Sequence, residues 1–309
     1  MDQKLPPIRS TIPVRTLSTD DPAELLRFAI DAHGLGAAAL ATLVDIRGGA
    51  ARALGAHVAV AADGRFCGYF SGGCVEAAVA SEALLAMAQG RDRTVKFGDG
   101  SPFFDIVLPC GGGITVAIHV LKDVGALRHV LYRLERRQAA GLAYSPERQT
   151  LEAVDPLSRA CWHERDFLSV YRPRTRVVLS GRTIEAQAVA RLAEASGYDV
   201  IVRGRGEAGR VAADIIDPFT AVVLLHHDLD AEAAILATAI ASPGFYIGAL
   251  GSTRTHRRRV ERLRAMAFRR DDIARIKAPI GMFGPTRDAT SLALSVLADI
   301  AAARLAAYA

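Results

Sequence analysis

The sequence predicts two α/β domains: a mixed α/β domain first, then a Rossmann-like, doubly wound parallel sheet. Three observations carry this. The chain is 309 residues long, enough for two domains of ordinary size. Half of it is hydrophobic, chiefly alanine, leucine and valine with few aromatics, which suits buried strands layered with small-residue helices. From about residue 175 the apolar pattern settles into strand–helix alternation.

Residues 1–21 are polar with three prolines and are expected to form a flexible arm. Asp21-Pro22 then starts a helix, Asp21 as cap and Pro22 at the first helical position, running to 32. Residues 37–44 form a strand. A second, 55–62, turns at Asp63-Gly64 into a third, 65–70. An apolar-periodic helix follows from Val75 and ends near Gln89-Gly90. Residues 93–97, 105–108 and 114–120 read as further strands, and 127–140 as an amphipathic helix. The first domain therefore spans 22–145, and the proline-punctuated stretch 146–174 reads as a linker with short strands. The second domain, 175–309, has strands at 176–179, 199–202, 221–225 and 245–250. Its helices are at 184–195, 230–241, 253–267 and 291–307.

The net charge of +5 is only mildly basic, and the arginines around 257–270 read as a solvated helix face, so no nucleic-acid partner is expected. Four cysteines in a chain this long do not make a disulfide framework. The N-terminus has no apolar signal core, and no uninterrupted apolar run has the length of a membrane span. The expectation is a cytoplasmic protein with no membrane association.

Two glycine–cysteine turns dominate the chemistry. In Ser71-Gly72-Gly73-Cys74-Val75-Glu76 a glycine turn feeds a helix whose first turn holds a thiol. Helix-terminal N–H groups there favour anions and lower a thiol pKa. The competing reading is close strand–helix packing with Cys74 as a small buried hydrophobe. The spacing leaves open whether Glu76 only stabilises the helix dipole, orients a ligand or takes a proton. In Cys110-Gly111-Gly112-Gly113 a thiol again sits beside bulk-free backbone, which a planar or phosphorylated ligand can approach. No CxxC pair is present, so structural zinc is not expected. Cys67 and Cys161 read as inert fillers.

In the second domain, Ser180-Gly181-Arg182-Thr183 occupies the dinucleotide-fingerprint position with one glycine where three are wanted, which argues against NAD(P). His227 and Asp228 end one parallel strand, where open α/β sheets place ligands. Gly251 and Ser252 make another strand-to-helix turn, with capping and anion binding both open.

Taken together, SerGlyGlyCysValGlu at 71–76, CysGlyGly at 110–112, HisAsp at 227–228, TyrIleGlyAlaLeuGlySer at 246–252 and AlaProIleGly at 278–281 resemble the XdhC/CoxI family of accessory proteins for molybdenum hydroxylases. The resemblance implies a chaperone rather than an enzyme of turnover. It would bind and protect the molybdenum cofactor (molybdopterin), assist its sulfuration and insert it into a xanthine-dehydrogenase-like apoenzyme. Its implied partners are that molybdenum hydroxylase apoenzyme, a cysteine desulfurase and a second copy of the chain in a homodimer. Cofactor contacts map onto Ser71, Gly72, Gly73, Cys74, Glu76, Cys110, Gly111, Gly112 and Gly113, with Cys74 and Cys110 as molybdenum-proximal thiols. The family's glycine-rich turn is replaced here by SerGlyArgThr at 180–183, and an acid is lost at Phe283. Two alternatives remain beside the chaperone: a nucleotide- or NAD(P)-binding enzyme acting on the cofactor, and a cofactor-free docking module.

Overall fold

A computed structural model describes residues 11–71, 73, 75–101, 111–181, 183–203 and 215–308. The chain divides into two compact units, one ending at Arg172 and one beginning at Pro173. The expected strand at 105–108 lies outside the described residues.

The first unit is built on a six-stranded sheet. Its strands are β1 (Val14–Leu17), β2 (Ala38–Arg47), β3 (His57–Ala61), β4 (Arg65–Gly68), β5 (Arg93–Gly98) and β6 (Gly113–Val120), in the order β1-β4-β3-β2-β6-β5. Alternate residues of β2 point to opposite faces. Ala39, Ala41 and Leu43 pack against α2 (Glu76–Gln89) through Val79, Ala80, Ala83 and Ala86. Ala38 and Leu40 join Leu25, Leu26 and Ala29 of α1 (Pro22–Leu35) and Leu127 and Val130 of α3 (Gly125–Glu135). The sheet is covered on both faces, which explains why β2 reads as a continuous apolar run instead of an alternating one. Asp21 caps α1 as expected, its carboxylate accepting from the Ala23 amide at 2.9 Å.

The sequence reading needs correction at three places in this unit. The described part of the expected arm contains β1, which pairs in parallel with β4. The helix expected over 127–140 ends at Glu135, and Ala140 already begins a strand. Most importantly, the expected linker is a sheet. β7 (Ala140–Ser145), β8 (Thr150–Val154), β9 (Cys161–His163) and β10 (Asp166–Tyr171) form an antiparallel sheet in the order β8-β7-β10-β9. Phe167 and Tyr171 of β10 are 0% and 3% exposed and complete the unit's core. The Tyr171 hydroxyl is 2.6 Å from His57 Nε2, while His57 Nδ1 lies 3.0 Å from Thr42 Oγ1. Burial pulls the His57 pKa down from 6.5 to about 4, against a smaller upward pull from the Ala41 backbone, so His57 is a neutral internal strut between β3 and β10.

The second unit is the predicted doubly wound fold. β11 (Arg176–Ser180), β12 (Asp199–Arg203), β13 (Thr220–Leu224), β14 (Tyr246–Ala249) and β15 (Ile276–Lys277) are all parallel, in the order β12-β11-β13-β14-β15. α4 (Ile184–Ala195) and α8 (Ala289–Ala307) cover one face. α5 (Leu229–Ala241), α6 (Thr253–Ala265) and the short α7 (Arg270–Ala274) cover the other. α7 and β15 have no counterpart in the sequence reading, being five and two residues long. By length and composition α8 is apolar enough to cross a membrane. Leu292, Ala293, Val296 and Ile300 instead pack into the core, and Asp299 accepts a 2.7 Å hydrogen bond from the Tyr246 hydroxyl.

Candidate functional site

The strand directions bring the two glycine turns to one end of the first sheet. β4 runs parallel to β1 and antiparallel to β3, and β2 is antiparallel to both β3 and β6. The carboxyl ends of β2 and β4 and the amino end of β6 therefore share an edge. The 71–73 turn follows β4, and Gly111–Gly113 leads into β6. Two strands separate β4 from β6, so the turns stand roughly 14 Å apart at about 4.8 Å per strand step. Gly72, Cys74, Cys110 and Arg182 lie outside the described residues.

The first turn is held by Glu76, whose side chain is 0% exposed. Its Oε1 accepts from the backbone amides of Phe70 and Ser71, both at 2.7 Å, and lies 3.5 Å from Ser71 Oγ. Its Oε2 accepts from Arg15 Nη2 at 3.2 Å. Both oxygens are thus committed to the protein, and the structure gives Glu76 a positioning task. Sequence expectation placed it among the ligand contacts. Arg15, which locks β1 to this turn, was not anticipated, because its place in a proline-rich arm carries no local signal. Val75 occupies the N-cap of α2 and supplies no side-chain acceptor to the first helical amides, so those donors keep their affinity for an anion.

The glycines divide by task. A side chain at Gly73 (φ +124°) or Gly111 (φ +67°) would meet nothing within 4 Å among the described residues, so both present bare backbone. Gly112 and Gly113 are packing glycines. A Cβ at Gly112 would strike the Arg47 carbonyl, and one at Gly113 would come within 2.6 Å of Asp99 O. Arg47 organises this corner: Nη1 donates to Asp45 Oδ2 at 2.8 Å and Thr115 Oγ1 at 2.9 Å, and Nη2 donates to Asp99 O at 3.0 Å. The sequence reading missed Arg47, although its position at the end of an apolar strand beside Gly48-Gly49 was a usable signal. Cys67 is buried in β4; burial first, then the nearby Glu24 charge, pushes its thiol up to about 11, which makes it unreactive. Cys161 is partly exposed in β9.

In the second unit the parallel strands end at a crevice between β11 and β13, where the chain reverses its order of winding. Ser180 Oγ and His226 Nε2 bridge that point at 2.7 Å. The sequence reading points to the neighbour, His227, which is exposed; both histidines lie in the turn beyond the end of β13 at Leu224. Gly181 (φ +143°) donates its amide to Arg203 O at 3.2 Å, and a Cβ there would come within 2.7 Å of Leu225 O. Its glycine character serves strand–turn packing. Asp228 caps α5, accepting from the Asp230 amide at 2.9 Å, and Ser252 caps α6, accepting from the Thr255 amide at 3.3 Å. Gly251 (φ +124°) makes the turn just before that cap, with Thr255 Cγ2 2.8 Å from where its Cβ would stand.

Comparison with known proteins adds to this geometry. Residues 35–98 match the model of the XdhC and CoxI family, and residues 177–300 match the XdhC Rossmann domain. Over 294 residues the chain is 49% identical to the molybdenum cofactor insertion chaperone PaoD of Escherichia coli K12, covering 95% of this chain and 92% of that one. It is 25% identical to the uncharacterized protein YqeB of the same organism, over 85% of this chain and 42% of that protein. A solved structure described as a xanthine dehydrogenase from Bacillus halodurans shares the fold, with a TM-score of 0.71 and 20% identity over 93% of this chain and 96% of that one.

Proposed function

The chain belongs to the XdhC and CoxI family, and from that membership we propose that it is a molybdenum-cofactor insertion chaperone. The observation that carries the reading is the 49% identity, spread over nearly the whole of both chains, with a protein of that function. The family matches at 35–98 and 177–300 add the first glycine turn and the Rossmann unit to that support.

In this reading the cofactor is cargo, and the glycine edge of the first sheet is its berth. The cargo combines a planar pterin, a phosphate and a sulfur-ligated metal. Gly73 and Gly111 offer backbone with no side chain in the way, and the uncapped amides of α2 offer donors to the phosphate. Cys74 and Cys110 are the thiols this reading assigns to the metal side. Ser71, Gly72, Gly112 and Gly113 complete the set, with Gly112 and Gly113 shaping the berth and Glu76 holding its first turn. The client is a molybdenum enzyme of the xanthine-dehydrogenase type. A cysteine desulfurase supplying sulfur, a homodimeric assembly and a cytoplasmic place of work complete the proposal.

The test is metal and pterin analysis of protein purified from a cofactor-producing host. Wild type is expected to carry both, and Cys74→Ala or Cys110→Ala to lower the occupancy about tenfold, the equivalent of one strong ligand contact. Equal occupancy in wild type and both variants would remove the thiols from the site, and no cofactor in wild type would remove the function.

A further inference from the structure

The α5–α6 face of the second unit carries a feature that cofactor binding does not use. Between the two helices lies a cavity of about 310 Å³, lined by Leu229 and Leu236 from α5, by Leu263 from α6 and by Met266 at the C-cap of α6. Leu236 and Leu263 form its floor at 2% and 3% exposure, and Met266 stands at the rim at 52%. Beneath them Glu232 and Arg259, also on the lining, make a two-pronged ion pair. Nε donates to Oε1 at 2.5 Å and Nη2 donates to Oε2 at 3.1 Å. Arg259 is 2% exposed, yet its Nη1 has no acceptor among the described residues. A buried guanidinium N–H without a partner is costly, and it leaves the floor of this groove short of one acceptor.

The rim is charged on one side. α6 holds six arginines and one glutamate. At 100° per residue, Arg254, Arg258 and Arg262 fall in an i, i+4, i+8 row along the edge that Arg262 shares with the cavity. Arg262 is paired with Asp230 at 2.6 Å. Arg254 and Arg258 are exposed and have no acidic partner among the described residues.

We propose that this groove docks an acidic segment with aliphatic anchors, contributed by the client molybdenum enzyme. The anchors would fill the cavity while carboxylates meet the Arg254–Arg258–Arg262 row. Charge complementarity selects this occupant. A lipid surface fits less well, since a bilayer takes up protruding apolar side chains and the leucines here are recessed. The identity of the partner rests on the insertion reading; the chemistry of the groove does not.

The probe is a fluorescein-labelled synthetic helix of about 16 residues, with leucines spaced one helical turn apart and glutamates along one flank. Fluorescence anisotropy with the full chain is expected to show saturable binding that weakens at least about tenfold with Arg254→Glu/Arg258→Glu, with Met266→Asp, or with a lysine-for-glutamate probe. The changed side chains are exposed, and molybdenum and pterin contents of the variants are expected to stay at the wild-type level. Absent binding, or equal binding to the arginine variant, overturns the proposal. So does binding to phosphatidylglycerol vesicles in place of the peptide, or a self-association that the same variants abolish. Loss of the cofactor from wild type would sink the insertion reading and leave the peptide result standing.

Discussion

Glu76 shows how one side chain decides whether a loop is a site. Its fully buried carboxylate gathers two backbone amides and the partly exposed Arg15 guanidinium around one point. Removing it strands the Phe70 and Ser71 amides and leaves Arg15 without its counter-charge. Glu76→Ala is expected to destabilise the first unit by about 2–4 kcal/mol and to reduce cofactor retention through loss of the turn. Glu76→Gln keeps one acceptor and is expected to cost about 1–2 kcal/mol. Urea denaturation followed by tryptophan fluorescence checks both, since Trp162, the single tryptophan, packs in this unit and donates Nε1–H to Val44 O at 3.0 Å. If Glu76→Ala proved as stable as wild type, the turn would have another anchor. Which task Glu76 performs was illegible in sequence because its charge partner, Arg15, is 61 positions away.

At the level of elements, local rules placed most helices and strands correctly and left the task of some end residues open. Asp228 and Ser252 stand where ligands gather in open α/β sheets, and the sequence offered them as binding candidates. The structure engages each in a cap of the helix that follows. Asp228→Ala and Ser252→Ala are each expected to cost about 1 kcal/mol of stability in the second unit while leaving cofactor content unchanged, as read by denaturation and by pterin assay. A loss of cofactor without a loss of stability would restore the ligand role. The glycines sort by the same logic. Gly112, Gly113 and Gly181 answer to neighbouring backbone, whereas Gly73 and Gly111 meet no neighbour among the described residues, and no sequence pattern separates the two kinds.

At the scale of the whole molecule the largest revision is the boundary of the first unit. Polar residues and prolines between 146 and 174 resemble a linker because β8 and β9 are short and largely exposed. β10 closes the core all the same, burying Phe167 and Tyr171, each worth about 1.5–3 kcal/mol. A chain ending at Arg172 is therefore expected to fold alone with a cooperative urea transition, and one ending at Ser145 to be insoluble or non-cooperative. Comparable transitions for both would return residues 146–172 to the status of a linker. The amino-acid sequence by itself determined the two α/β folds, the family, and the glycine–cysteine turns as the place to look, because apolar periodicity and glycine conformational freedom are local properties. Only the tertiary structure decided that both turns share one sheet edge, that Glu76 and Arg47 build that edge, and that the apparent linker is core. Strand order and direction bring together residues far apart in the chain, and local periodicity carries no record of that pairing.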